Sequence, residues 1–299
     1  MNKYIYLSNG ESRKKLNIFH DLEQLPNFQL IEVKKDQKNI IRLSRDDNYT
    51  IIIMPTLFYI CDIDEIKKLK IKKNVKLALI ILDTIGLDSP TSRITSKIFK
   101  DKIWDYVFTY DKDDSQKYDL IYLDEHYYSI PNIKNKNKKL KDAYYAGALK
   151  PGRTSELAEL FSVLKANNLN VEFDITEKDG RKIDFYDKKF NIHKRSISYK
   201  KVLKNTISSN CIIEFLQKNQ YSPSLRYYEA VVFNKKLLTN NKNVKQLQFY
   251  DEKYMRFFEN IQDIDFEWVK RREHIDYGYN NEFSPIWIIK KIEEIENEK

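Results

Sequence analysis

An α/β protein with largely parallel sheets, built as two similar halves, is predicted by three features of the sequence. Short apolar runs of strand length alternate with stretches of helical periodicity. The alternation breaks once, at the polar, basic, turn-prone stretch PNIKNKNKKLK (131–141), and then resumes. With 299 residues, 41% hydrophobic and 13% aromatic, the chain is long enough for two cores of ordinary size, which excludes general disorder.

In the first half, strands are expected at 3–7, 28–33, 49–54, 75–82, 106–110 and 120–123, with helices near 12–24, 63–71, 91–100 and 111–118. The second half opens with a strand at 144–149. A helix at 153–166 follows, whose Leu157, Leu160, Phe161 and Leu164 share one face. Strands at 171–175, 210–215 and 236–239 then alternate with helices at 198–207 and 225–233. The segment 284–295 reads as a terminal helix with Ser284 as N-cap, Pro285 at the first helical position and an apolar face of Ile288, Ile292 and Ile295. Domains are expected at 1–138 and 139–281, with 282–299 as a helix that packs back on the first.

Composition excludes several function classes. No window approaches the ~18 apolar residues of a membrane span, and the N-terminus lacks the order of a signal peptide. Cys61 and Cys211 are far apart and outside metal-like spacing, as expected of thiols in a reducing compartment, so a cytoplasmic location is expected. Only six glycines occur, none in G-x-G or P-loop spacing, which excludes a Walker ATPase or a dinucleotide fingerprint as a sequence signal. The net charge of +9 suits a polyanionic neighbour. It is spread over both halves, however, and a Lys-, Asn- and Ile-rich bias from an AT-rich genome produces it equally well.

The most informative region is Cys211–Asn241, in which an apolar strand leads through a polar loop into a helix capped by Ser224 and then to a strand closing at Thr239 and Asn240. In open α/β sheets, ligands settle beyond the carboxyl ends of the strands. A helix N-terminus with free amides suits a phosphate there, Arg226 in the first turn suits phosphate oxygens, and Glu229 suits a sugar diol. The plainer reading is an Arg226–Glu229 surface ion pair at i and i+3, worth a few tenths of a kcal/mol.

The run SLRYYEAVVFNKKLLT (224–239) resembles the donor-site helix of GT-B glycosyltransferases, as found among bacterial enzymes of surface polysaccharide assembly. The stretch YYAGALKPGRTSELAELFSVLKANNLNVEFDI (144–175) resembles the first strand, loop and helix of the GT-B C-terminal domain. WDYVFTYDKDDSQKYDLIYL (104–123) is similar to a recurring architectural piece of such enzymes. Together these stretches cover roughly a quarter of the chain. The resemblance implies two Rossmann-like domains with parallel sheets facing a cleft, and transfer of a sugar from a nucleotide sugar, such as a UDP- or GDP-sugar, to a glycan or lipid-linked acceptor. It places Glu229 at the nucleotide ribose and Lys150 or Arg153 at the diphosphate. Tyr221 stands where many retaining members carry an earlier glutamate.

Cationic side chains and helix amides stabilise a leaving diphosphate without a metal, so none is expected. An inverting enzyme needs a base, for which Asp83, after the apolar run LALIIL, and Glu11, after Gly10, are the candidates. Both residues also suit helix caps or loops. Asp62 and Asp64 form a D-x-D that fits a metal-dependent GT-A transferase or, more simply, caps the helix at 63. Asp263 and Asp265 repeat the pattern. Lys67, Lys68, Lys70, Lys72 and Lys73 form a basic stretch suited to an anionic leaflet at the inner face of the cell membrane or to a solvated helix face. The four histidines have no i, i+4 partner, against a zinc site. A non-catalytic nucleotide-sugar-binding subunit and a nucleic-acid-binding protein are the remaining alternatives. The absence of a concentrated basic, aromatic-interleaved stripe speaks against nucleic acid.

Overall fold

The computed structural model describes residues 2–10, 19–35, 41–86, 89–129, 133, 140–149, 154–177, 191–195, 197–217, 220 and 222–298. It divides into two compact units, Met1–Pro131 with Asn281–Lys299, and Asn132–Asn280. The sheet of the first unit contains β1 (Asn2–Ser8), β2 (Phe28–Glu32), β3 (Asn48–Ile53), β4 (Val75–Ile81), β5 (Tyr106–Thr109) and β6 (Ile121–Tyr122), all parallel, in the order β2-β1-β3-β4-β5-β6. The chain crosses over β1 between β2 and β3, which makes β1/β3 the topological switch point.

The strands β3 and β4 are near-continuous apolar runs because central strands of a parallel sheet are covered on both faces. Between strands lie α1 (Ile63–Lys70), α2 (Pro90–Ile98) and α3 (Lys112–Tyr118), whose first turns are capped by the side chains of Asp62, Ser89 and Asp111. Ile66 and Leu69 of α1 pack with Ile5, Leu7, Ile51, Ile53 and Leu77. Each such burial stabilises the unit by roughly 1.5–3 kcal/mol. The helix expected at 12–24 falls largely outside the described residues, and its end, Leu22–Gln24, is a single 3₁₀ turn.

In the second unit, β7 (Lys141–Ala148), α4 (Thr154–Ala166), β8 (Val171–Thr176), β9 (Asn191–His193), α5 (Tyr199–Ile207), β10 (Ser209–Glu214), α6 (Leu225–Val232), β11 (Lys236–Thr239), β12 (Met255–Phe257) and α7 (Phe266–Lys270) follow in sequence. The parallel sheet runs β12-β11-β10-β7-β8-β9, and its switch point is β7/β10. One face is apolar, with Ala143, Tyr145, Phe173, Ile175, Cys211 and Ile213 packed with Leu157, Leu160 and Leu164 of α4 and Trp268 of α7. The other parity, Tyr144, Asp174, Glu214 and Thr239, is polar yet buried. The short strands β9 and β12 and the short helix α7, each of five residues or fewer, are not among the elements expected from the sequence. Asp263 closes a capping box with Asn260 and Asp265 caps α7, so that second D-x-D is capping chemistry.

The last helix, α8 (Ile286–Asn297), belongs to the first unit. It buries Ile288, Ile289 and Ile292, and its Glu293 and Glu296 accept hydrogen bonds from Tyr4 and Tyr106. Ahead of it, the Tyr128 N–H donates to the Phe283 carbonyl, and His126 stacks on Trp287 at 4.9 Å. The helix starts one residue later than its sequence signal: Ser284 Oγ donates to the buried Asp21 at 2.5 Å, and Pro285 takes the N-cap position.

Candidate functional site

The carboxyl edge of the second sheet, around β10 and β11, brings together most of the described candidates. Glu214, the last residue of β10, is completely buried. It accepts the Ser224 amide at 2.7 Å and the Thr239 hydroxyl at 2.6 Å. Burial raises its carboxyl, and the Thr239 and Ser224 hydrogen bonds work against that rise. Ser224 caps α6 by accepting the Arg226 amide. Two amides of the helix N-terminus are therefore already satisfied from within the unit. This corrects the expectation of free amides awaiting a phosphate: a carboxylate of the protein itself occupies the positive end of the helix.

Arg226 and Glu229 are brought together as the i, i+3 spacing predicts, but not on the surface. The Arg226 guanidinium donates to Glu229 Oε2, and the Glu229 side chain is fully buried. Glu229 Oε1 accepts from the Tyr199 hydroxyl of α5 at 2.9 Å, and Oε2 also accepts from Thr206 at 3.2 Å. Burial raises the Glu229 carboxyl, opposed first by the Arg226 charge. Both carboxylate oxygens are thus engaged, and Glu229 anchors Arg226 between α5 and α6. Asn240 ties the loop after β10 to the end of β11, its Oδ1 accepting the Leu216 amide at 2.7 Å. Its neighbour Asn241, which the sequence analysis passed over, is buried and accepts the Asn243 amide. The Nδ2 of Asn241 has no partner among the described atoms. Lys150, Arg153 and Tyr221 lie outside the described residues.

A second polar group lies on the same face. Asp174 of β8 accepts from the Tyr144 hydroxyl at 2.8 Å and from Asn205 of α5 at 2.9 Å, and its other oxygen meets Nε2 of His193 at 2.8 Å. Burial pushes the Asp174 carboxyl up, but the His193 and Tyr144 hydrogen bonds outweigh it and hold the group below the usual carboxylate range. The alternation in VEFDI puts Asp174 with Glu172 on the polar parity, which reads as an outward face, so its burial carries no local sequence signal.

In the first unit, Asp83 is exposed just beyond the carboxyl end of β4. The loop it opens is held by α3, since Thr84 donates to Asp111 at 2.7 Å and the Ile85 amide to Asp114 at 2.6 Å. Glu11, the rival base, lies outside the described residues. Asp62 accepts the Asp64 amide as N-cap, and Asp64 faces Lys67 at 3.7 Å, so both carboxylates serve the helix. Among the described residues no group of three or more His, Cys, Asp or Glu is placed to hold a metal ion. Lys67 pairs with Asp101, Lys68 with Glu65 and Lys70 with Asp105. That stretch is therefore charge-balanced over α1 rather than a bare cationic face. Lys72 and Lys73 are exposed. No described helix is long and apolar enough to cross a membrane.

Two Rossmann-like domains, each with a six-stranded parallel sheet, place the chain in the GT-B fold class. Among solved structures it is similar to an α-glucosyltransferase in complex with UDP and a 13-mer DNA (11% identity, 98% of each chain, TM-score 0.56). It is also similar to a UDP-N-acetylglucosamine 2-epimerase from Rickettsia bellii (10% identity, 98% of this chain and 96% of that one, TM-score 0.54). To TarM it is 14% identical over 85% of this chain, with a TM-score of 0.52, and it spans 55% of TarM's length. No protein-family model and no curated protein matches the sequence.

Proposed function

We propose that the protein binds a nucleotide sugar at the β7/β10 switch point of its second unit and transfers the sugar to a glycan or lipid-linked acceptor in surface polysaccharide synthesis. The observation that carries this reading is the position of Arg226, which Glu229 holds beside the carboxyl ends of β10 and β11 in a sheet whose strand order puts ligands at that edge. Whole-length likeness to enzymes whose names include UDP or a UDP-sugar supports it.

Arg226 stabilises charge on the leaving diphosphate, with Lys150 and Arg153, between β7 and α4 in the sequence, as further cations. Glu229 positions Arg226, and meeting a ribose diol requires it to exchange one of its present hydrogen bonds. Asp83 is the candidate base for an inverting reaction. In calorimetric titrations with UDP, GDP and their sugars, one nucleotide binds, and Arg226→Ala weakens it at least about tenfold, about 1.4 kcal/mol. Unchanged affinity removes Arg226 from the site.

A second reading, with DNA as acceptor, is favoured by the net charge of +9 and by the likeness to the DNA-bound α-glucosyltransferase. Incubation with radiolabelled UDP-glucose and either DNA or a lipid-linked glycan separates the two by which polymer takes up label. Epimerisation of a UDP-sugar without any acceptor would refute transfer in favour of isomerase chemistry.

A further inference from the structure

The first unit contains a cavity of about 440 Å³ at the edge of its sheet opposite to Gly10 and Asp83. Its floor is the amino ends of β1, β3 and β4, contributing Asn2, Tyr4, Asn48, Tyr49 and Lys76, together with Lys73 and Asn74 just ahead of β4. Its wall is α8, where Glu293, Glu296 and Asn297 fall at i, i+3 and i+4 on one face while Ile288, Ile289 and Ile292 are buried. The volume lies within the range of about 300–1,000 Å³ usual for small-molecule sites.

The chemistry of the lining selects among ligands. No Leu, Ile, Val, Ala or Met lines the cavity; its apolar surface comes from the rings of Tyr4 and Tyr49 and the lysine stems, which suit the face of a sugar ring better than an acyl chain. Two lysines face two glutamates, so the formal charges of the lining balance: Lys76 pairs with Glu296, which also accepts from Tyr106, and Lys73 is exposed. Glu293 accepts from the Tyr4 hydroxyl at 3.1 Å, whose phenol burial holds up at about 12 and hence protonated. A phosphate therefore finds no unbalanced positive field. What remains is a set of donors and acceptors at close quarters. Of the four asparagines, Asn2 donates to Thr50 and Asn74 to the Ser44 and Asp47 carbonyls, so Asn48 and Asn297 are the two that offer both roles in full. Asn48 and Asn297 are exposed and make no side-chain hydrogen bond among the described residues. Closely spaced, uncharged donor–acceptor groups complement the vicinal hydroxyls of a sugar.

We propose that this cavity is a carbohydrate-binding site for an uncharged mono- or disaccharide segment, distinct from the nucleotide site of the second unit. The inference does not rest on the nucleotide-sugar reading, because each of its residues belongs to the first unit. The test is saturation-transfer NMR on the full chain with maltotriose and with N,N′,N″-triacetylchitotriose, and with inorganic phosphate as the charged comparison. One or both trisaccharides bind at about 1 mM, a weak-affinity regime. The double variant Asn48→Leu/Asn297→Leu, changed only at exposed positions, weakens that binding at least about tenfold while UDP titrations stay as in the parent. Glu293→Gln, which keeps the acceptor for Tyr4, leaves sugar binding within about threefold. No transfer to either trisaccharide at about 10 mM, phosphate binding alone, or sugar binding that survives in the double variant each overturns the proposal. Loss of UDP binding in Arg226→Ala with sugar binding retained separates the two sites.

Discussion

The Arg226 guanidinium donates to a Glu229 carboxylate that has no solvent exposure, although the two stand one turn apart on a short helix. An i, i+3 pair on an exposed helix contributes only a few tenths of a kcal/mol. Here α5 covers the pair and supplies Tyr199 and Thr206 as further donors. Breaking such a buried pair leaves a charge and two hydroxyls without their acceptor.

Glu229→Ala is therefore expected to destabilise the protein by about 3–5 kcal/mol, and Glu229→Gln, which retains an acceptor oxygen, by less. Urea unfolding followed by fluorescence measures both. A Glu229→Ala loss below about 1 kcal/mol would mean the pair is solvated after all.

Asp174 makes stability depend on acid. Its carboxyl is held below the ordinary value, so its contribution is present above the unfolded value of about 3.9 and is lost as pH falls through the folded one. Asp174→Asn is expected to be less stable at neutral pH and to show a shallower fall in melting temperature below pH 4. Parallel melting curves for the two proteins across that range would contradict the role of the His193 and Tyr144 hydrogen bonds.

Asp114 acts with the opposite sign. Burial raises its carboxyl to about 6, against the Ile85 amide bond that favours the charged form. The native state then binds more protons than the unfolded one between about pH 4 and 6, and stability falls as pH rises through that window. Asp114→Asn removes this fall. Chemical denaturation midpoints at pH 4, 5, 6 and 7 give the comparison, and an identical decline in both proteins would exclude Asp114 as its source.

Gly147 is a close-approach glycine. A Cβ at this position in β7 would collide with the hydroxyl of Tyr145 and lie 2.8 Å from its ring, and Tyr145 is itself buried in the apolar core. Gly147→Ala is expected to cost about 1–3 kcal/mol through forced repacking. Adding Tyr145→Phe, which removes the nearest atom, should recover part of the loss, and a double-mutant cycle by thermal unfolding detects the coupling. Strict additivity would place the strain elsewhere.

The positions of strands and helices followed from local physics legible in the sequence. Apolar runs such as Tyr49–Ile53 and Val75–Ile81 announce strands covered on both faces, and Asp62 and Ser224 announce helix starts because each satisfies an amide within its own first turn. Arg226, Glu229 and Asn240 could be singled out by type and spacing. What their side chains meet could not, because Tyr199, Thr206 and Leu216 are supplied by other elements. The same holds for Asp174 with His193, whose sequence separation of 19 carries no periodic signal.

The sequence by itself determined the α/β alternation and the candidate cation and carboxylate, since each depends on neighbours a few positions away. Only the tertiary structure decided that Glu214 closes the N-terminus of α6, that Glu229 is an anchor, and that α8 walls a polar cavity over the amino ends of β1 and β4. Those outcomes are set by which strands lie side by side, and strand order reflects burial summed over a whole sheet rather than any local run of residues.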